Sequence, residues 1–110
     1  MDQRVIWDSH LYQENFSGFS PIEQIELWTS LAQTILATRE MLPSAPQSER
    51  SEAAHQLVSA LGCLGLTEAS LFFKTFEHQN SDKFHPSIAL SVLNQLALFV
   101  DDQIIRIASK

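Results

Sequence analysis

The stretch SPIEQIELWTSLAQTILATREML, residues 20–42, carries the clearest structural signals in this chain. Ser20 is suited to cap a helix, Pro21 fits the first helical position, and Glu23 stands where a capping box requires it. Apolar residues then recur at helical intervals, namely Ile22, Ile25, Trp28, Ala32, Ile35 and Leu36. Pro43 ends the pattern because its ring removes a hydrogen bond and clashes with the preceding turn. The stretch predicts an amphipathic helix that runs up to this proline.

A second helix is predicted after the proline-containing loop, starting near Ser48. Its apolar seam consists of Ala54, Leu57, Leu61 and Leu64. The alternating spacing of three and four residues is typical of a helix face that is buried against other helices. Gly65 is expected to end this helix, because glycine readily adopts the left-handed conformation that closes many helices.

The spacing of apolar residues after Gly65 predicts two more helices. The first has Thr67 as its candidate N-cap, and we expect Phe73 to lie at its exposed rim. The residues expected to face the core from this helix are Ala69, Leu71, Phe72 and Phe76. After a polar connection at 79–85, Pro86 suits the first turn of the last helix. The apolar stripe of that helix consists of Val92, Leu93, Leu96, Val100, Ile104 and Ile107.

Together these segments predict an all-α fold, an antiparallel up-down four-helix bundle that forms a single domain over residues 1–110. Residues 5–16 are expected to add a short N-terminal helix or an extended arm. Hydrophobic residues make up 45% of the chain, which is enough for a packed core. Three glycines and four prolines leave little turn material, which disfavours a fold of many strands.

Charge and composition disfavour several classes of function. Acidic residues outnumber Lys and Arg by 13 to 7, and no basic cluster occurs, which disfavours binding to nucleic acid or to an anionic membrane. The first residues lack a signal pattern, and no apolar run approaches the roughly 20 residues that span a bilayer. Cys63 is the only cysteine, so the chain forms no internal disulfide. We expect a cytoplasmic protein.

One face of the predicted helix around His55 differs from an ordinary solvated face. His55 shares this face with Val58, Ser59 and Gly62, at helical spacings. Exposed helix faces usually carry charged residues, whereas these side chains are small or apolar. The ordinary interpretation is a boundary histidine beside residues that allow close helix packing. The functional interpretation is a docking surface around an accessible imidazole.

The sequence AHQLVSALGCLG, residues 54–65, resembles the signature of histidine-containing phosphotransfer (HPt) domains. In that family the pattern is Ala-His-x-Leu-Lys-Gly-Ser/Ala, followed by an apolar residue and Gly. The likeness extends to Phe76-Glu77, to Trp7-Asp8 and to the helix at 22–42.

The resemblance implies a four-helix bundle in which the exposed His55 accepts a phosphoryl group. Partners would dock on the face around it, formed by Gln56, Val58, Ser59 and Gly62. The chain would be a phosphoryl carrier and not an enzyme, in a bacterial two-component phosphorelay. Its partners would be a response-regulator receiver domain, a hybrid histidine kinase, or both. The Mg²⁺ would belong to the receiver, and this chain would need no cofactor and act as a monomer.

Two positions depart from the family pattern. Val58 stands where the family has Lys, and Ser59 stands where it has Gly. A cation near a phosphoimidazole attracts its charge, whereas Glu52 at the preceding turn would repel it. The cations nearest in sequence are Arg39, Arg50 and Lys74. An alternative is therefore an HPt-like module that binds and regulates a receiver or a histidine kinase without transferring a phosphoryl group.

A third interpretation is a structural helical module or homodimer, in which Ser59 and Gly62 permit close packing. The remaining histidines, His10, His78 and His85, are isolated in the sequence and predict no metal site. Cys63 lies beside the apolar seam, and we expect it to be a core residue and not a nucleophile.

Overall fold

Helices make up all the regular structure in residues 5–77 and 86–110, the part of the chain that the computed structural model describes. In chain order these helices are α1 (Ser9–Phe16), α2 (Pro21–Met41), α3 (Gln47–Cys63), α4 (Thr67–Glu77) and α5 (Pro86–Ala108). The antiparallel contacts are those of α2 with α5, of α3 with α4 and of α2 with α3. The predicted all-α fold, with four longer helices and a short N-terminal one, is confirmed. The connection predicted at 79–85 lies outside the described residues.

The capping box predicted for the start of α2 is present. The Glu23 backbone N–H donates to Ser20 Oγ over 3.2 Å, and the Ser20 N–H donates to Glu23 Oε1 over 3.0 Å. Pro21 occupies the first turn, where its missing N–H would have no partner within the helix. The helix ends at Met41, and its C-terminal cap directly precedes Pro43. Both predicted ends are therefore confirmed.

The buried face of α2 is shifted from the predicted one. Its buried residues are Trp28, Leu31, Ile35 and Thr38. The prediction was wrong for Ile22 and Leu36, which are exposed. Ile22 lies in the first turn, off this face. Leu36 follows the buried Ile35 directly, so it lies about 100° around the helix from it.

The apolar seam of α3 is buried as predicted, at Ala54, Leu57, Leu61 and Leu64. Gly65 ends the helix with a φ of 90°, a conformation that favours glycine. The Leu66 N–H donates to the Leu61 carbonyl over 2.9 Å, and the Gly65 N–H donates to the Gly62 carbonyl over 3.3 Å. These two bonds form a Schellman motif, which turns the chain directly into α4.

The N-terminal segment combines the two predicted forms, since residues 5–8 are not helical and α1 follows them. It closes the C-terminal end of α3. The Trp7 indole N–H donates to the Leu64 carbonyl over 2.9 Å, and the Asp8 N–H donates to the Gly65 carbonyl over 2.8 Å. The Asn15 side-chain amide donates to the carbonyl of Cys63 over 2.9 Å. The segment thus satisfies carbonyls that a helix end leaves without partners in the helix.

The buried face of α4 also differs from the predicted one. The buried positions are Ala69, Phe73 and Phe76, with Leu66 just before the helix. Phe73 was predicted to be exposed and is buried, whereas Leu71 was predicted to be buried and is 56% exposed. The buried residues keep a spacing of three and four that starts at Leu66, and Leu71 lies off that row. Thr67 is the first residue of the helix and not its cap.

Helix α5 carries the longest buried stripe of the bundle. Its buried residues are Ala89, Val92, Leu93, Leu96, Val100, Gln103 and Ile107, and Ile104 is half-buried. Among the described helices, α5 alone is long and apolar enough to cross a membrane by length and composition. The core helix of a soluble protein meets the same criterion, and α5 packs against α2 with its buried stripe in the apolar core.

Candidate functional site

His55 projects from the solvent side of α3, and its side chain is 70% exposed. The reason is local, because Ala54 and Leu57 on either side of it in the helix turn into the core. These buried neighbours fix the orientation of α3 and leave the imidazole outside. The histidine is therefore an accessible side chain on a helix whose opposite face is packed.

Glu77, the last residue of α4, lies beside the ring. One of its carboxylate oxygens, Oε1, is 3.2 Å from His55 Nδ1, and the Glu77 side chain is only 19% exposed. A carboxylate at this position accepts a hydrogen bond from an Nδ1–H group. In the neutral ring this bond leaves the lone pair on Nε2, the other nitrogen. The arrangement thus favours the tautomer in which Nε2 is the nucleophile.

Two serine hydroxyls tie α3 to α4 on either side of this pair. The Ser51 hydroxyl donates to the backbone carbonyl of Glu77 over 2.9 Å. The Ser70 hydroxyl donates to the backbone carbonyl of Val58 over 2.8 Å. Because each bond joins a side chain of one helix to the backbone of the other, the bonds hold the two helices in a fixed register. The distance between His55 and Glu77 is set by this register.

The four residues predicted to form a docking face divide into two pairs. Gln56 and Ser59 are exposed, next to His55. Val58 and Gly62 are half-buried toward α4, and a side-chain carbon on Gly62 would lie 3.5 Å from Ser70 Oγ. The small residues therefore allow close packing of two helices within the chain. The exposed surface for a partner is narrower than the sequence suggested.

A shallow hollow of about 410 Å³ lies next to the imidazole. Its lining residues are Ser48, Ser51, Glu52, His55 and Glu77. Neither Lys nor Arg is among these residues, so both charged side chains that line the hollow are carboxylates. Arg39 donates to Asn94 Oδ1 over 3.1 Å and Arg50 donates to the Ala45 carbonyl over 2.8 Å, which directs both guanidinium groups elsewhere.

No protein-family model, curated protein or solved structure matches this chain.

The other candidate residues are scattered in the described part of the chain. Cys63 is exposed, so the prediction that it is a core residue was wrong. It lies in the last turn of α3, off the buried seam. His10 pairs with Glu14 one turn later, with 3.0 Å between Nε2 and Oε1. Within the described ranges no three His, Cys, Asp or Glu side chains form a group that could hold a metal ion. His78 and His85 lie outside those ranges.

Glu77 is the site residue that the sequence analysis did not single out. The family resemblance includes Phe76-Glu77 but implies no role for Glu77 in the site. The signal that would have found it is topological. A helix that ends at Gly65 and is followed at once by another helix forms an antiparallel hairpin, which returns the end of the second helix to the middle of the first.

Proposed function

We propose that this chain is a histidine phosphotransfer protein that carries a phosphoryl group on Nε2 of His55. The observation that supports the proposal most is the 3.2 Å contact of Glu77 with Nδ1 of an otherwise exposed imidazole. A nucleophile oriented by a neighbouring group is the usual arrangement for covalent transfer. The resemblance of residues 54–65 to the HPt signature supports it independently.

In this function the donor is an aspartyl phosphate on a receiver domain. The lone pair of Nε2 attacks phosphorus, the bond from phosphorus to the aspartate oxygen breaks, and the aspartate leaves as a carboxylate. The phosphorylated ring keeps its proton on Nδ1, and the positive charge of the ring lies beside the Glu77 carboxylate. Transfer to a second receiver reverses these steps. The chain is a carrier in this scheme and has no turnover of its own.

The partner supplies what this site lacks. Phosphoryl transfer depends on positioning and on neutralisation of charge, which a receiver domain achieves with its own Mg²⁺. We propose that the partner, a response-regulator receiver or a hybrid histidine kinase, docks on Gln56 and Ser59 around the ring. The chain acts as a cytoplasmic monomer in this proposal. It contributes one oriented imidazole on a rigid helix.

The test mixes this chain with Mg²⁺ and with receiver domains that carry a radioactive phosphoryl group. We expect the label to move to this chain, and His55→Gln should remain unlabelled. His10→Gln is the matched control, because His10 is also an exposed histidine beside a glutamate. That variant should accept the label like the wild type. Equal labelling of His55→Gln and the wild type would refute the proposal, as would absence of transfer from every receiver tested.

The lining of the hollow favours one second candidate, a module that binds a receiver or a histidine kinase without transfer. The family's lysine is replaced by Val58, a half-buried residue packed against the core, and Glu52 and Glu77 line the hollow. Carboxylates repel an incoming phosphate. In this case the chain and a phosphorylated receiver form a complex while the label stays on the receiver. His55→Gln would then bind as well as the wild type, which a titration of complex formation measures.

A further inference from the structure

Lys74 is an exposed cation in the second half of α4, the helix that ends at Glu77. We infer that its ammonium group faces the phosphoryl group on His55 and supplies the positive charge that Val58 does not. This role for Lys74 rests on the proposed function. It assigns to a neighbouring helix the contribution that the HPt pattern places on the histidine's own helix.

The register of α3 against α4 is the first support. Ser51 reaches the backbone of Glu77, and Ser70 reaches the backbone of Val58, so each residue lies level with its partner. The two helices run antiparallel. The residues between Ser51 and Val58 therefore lie opposite those between Ser70 and Glu77.

The helix faces are the second support. His55 and Lys74 lie near the middle of these two opposed stretches. Lys74 comes one turn after Ser70 and one turn before Glu77, so it shares their face of α4. The core side of α4 is formed by Ala69, Phe73 and Phe76. Both His55 and Lys74 are exposed, which places them along the solvent edge of the contact between the two helices.

The charges around the site are the third support. Glu52 and Glu77 line the hollow beside the imidazole, and a phosphoryl group would add further negative charge. No salt bridge between described residues involves Lys74. Its long flexible side chain carries a point charge that can turn toward a phosphate. Lys74 is thus the described cation that the register places closest to the level of His55.

In the experiment, the whole chain is treated with phosphoramidate, a small phosphoryl donor that needs no receiver. The phosphorus–nitrogen bond of the donor breaks, ammonia leaves, and the phosphoryl group joins His55 Nε2. Wild type, Lys74→Ala, Lys74→Arg and Lys110→Ala are compared. Lys110 is the matched control, since it lines a separate groove formed by α1 and the end of α5. Circular dichroism verifies that each variant is folded.

For Lys74→Ala at low salt, we expect the labelling rate of His55 and the lifetime of the phosphohistidine each to fall about threefold to tenfold. This is the effect expected from the loss of one charge-assisted contact that is partly screened by solvent. Lys74→Arg should restore both quantities, and added salt should shrink the difference. Lys110→Ala should match the wild type. Equal rates and lifetimes in wild type and Lys74→Ala would overturn the role of Lys74 while leaving the proposed function intact. A wild type whose His55 is not labelled would overturn both.

Discussion

At the scale of single residues, the site depends on the ring orientation of His55. An exposed histidine in water exchanges between two tautomers and rotates freely about its side-chain bonds. The Glu77 carboxylate at 3.2 Å from Nδ1 selects one tautomer and one orientation. Because the Glu77 side chain is already mostly buried at the end of α4, its contact with the ring costs little additional conformational entropy. The pair therefore presents Nε2 to solvent in a fixed orientation.

This orientation predicts how the site responds when the carboxylate is removed. Glu77→Ala should lower the labelling rate of His55 by phosphoramidate about tenfold, the lower end of the loss that follows when a metal-binding histidine loses the carboxylate that orients it. Glu77→Gln should lose less, because its amide oxygen still accepts from Nδ1–H. Nitrogen NMR of the imidazole provides a second measurement, in which the population with the proton on Nε2 should rise in Glu77→Ala.

Glu52→Gln is the control for the loss of a negative charge, since Glu52 lines the same hollow without a salt bridge to the ring. It should keep the tautomer populations of the wild type. Unchanged tautomers and labelling rate in Glu77→Ala would show that the contact does not orient the ring.

At the scale of helices, the ends of α2 were predictable because their signals are local. Ser20, Glu23 and Pro43 act on residues within one turn of themselves, so no tertiary contact is needed to interpret them. The capping box also has a measurable electrostatic consequence. The hydrogen bond from the Ser20 backbone N–H lowers the pKa of the Glu23 carboxyl below its ordinary value, and the Ser20 side chain contributes a smaller lowering.

The lowered pKa predicts how the stabilisation by Glu23 varies with pH. A carboxylate with a depressed pKa in the folded state stabilises the fold above its unfolded pKa, and loses this effect as the pH falls through the folded pKa. The difference in unfolding free energy between wild type and Glu23→Gln should stay constant near neutral pH and shrink below about pH 4. Urea titrations at several pH values measure it. A difference that is the same at every pH would contradict the assignment.

The helix faces were harder to predict than the helix ends. In α4 the spacing admits two apolar rows, one containing Phe72 and Phe76 and another containing Phe73 and Phe76. The choice depends on how α4 leaves the turn after α3, where the buried Leu66 sets the rotation of the helix. That rotation depends on tertiary contacts, which the apolar spacing does not reveal. The prediction therefore had Leu71 buried and Phe73 exposed, whereas the structure has the reverse. Glu77 was overlooked as a site residue for the same reason, since its role depends on which helix lies opposite.

At the scale of the whole molecule, the N-terminal segment joins the bundle through the end of α3. The centroid of the Trp7 ring lies 5.5 to 6.1 Å from the ring centroids of Tyr12, Trp28 and Phe99. These contacts pack the segment against the core. The backbone of Asp8 lies so close to Gly65 that a side-chain carbon at Gly65 would collide with its carbonyl oxygen. The sequence predicted a helix end at Gly65 but not this contact, because residues 5–8 carry no helical pattern.

Replacement of this glycine should therefore weaken the whole fold. Gly65→Ala should lower the unfolding free energy by about 2 kcal/mol or more, because the left-handed conformation alone costs about 1–2 kcal/mol and the collision adds to it. Gly18→Ala is the matched control, since no heavy atom lies within 4 Å of the added carbon, and it should change stability by less than about 0.5 kcal/mol. Urea unfolding followed by tryptophan fluorescence measures both. Equal midpoints for the two variants would contradict the close contact.

The antiparallel hairpin of α3 and α4 has a consequence for how this protein can diverge. His55, Glu77 and the two serines that set their register all lie on two consecutive helices joined by a tight turn. Substitutions on the outer faces of α2 and α5 do not touch these contacts, so those helices can drift in sequence while their inner faces stay apolar. Substitutions on those outer faces should therefore leave the spacing of His55 and Glu77 unchanged, whereas substitutions in the N-terminal segment that closes the end of α3 should not.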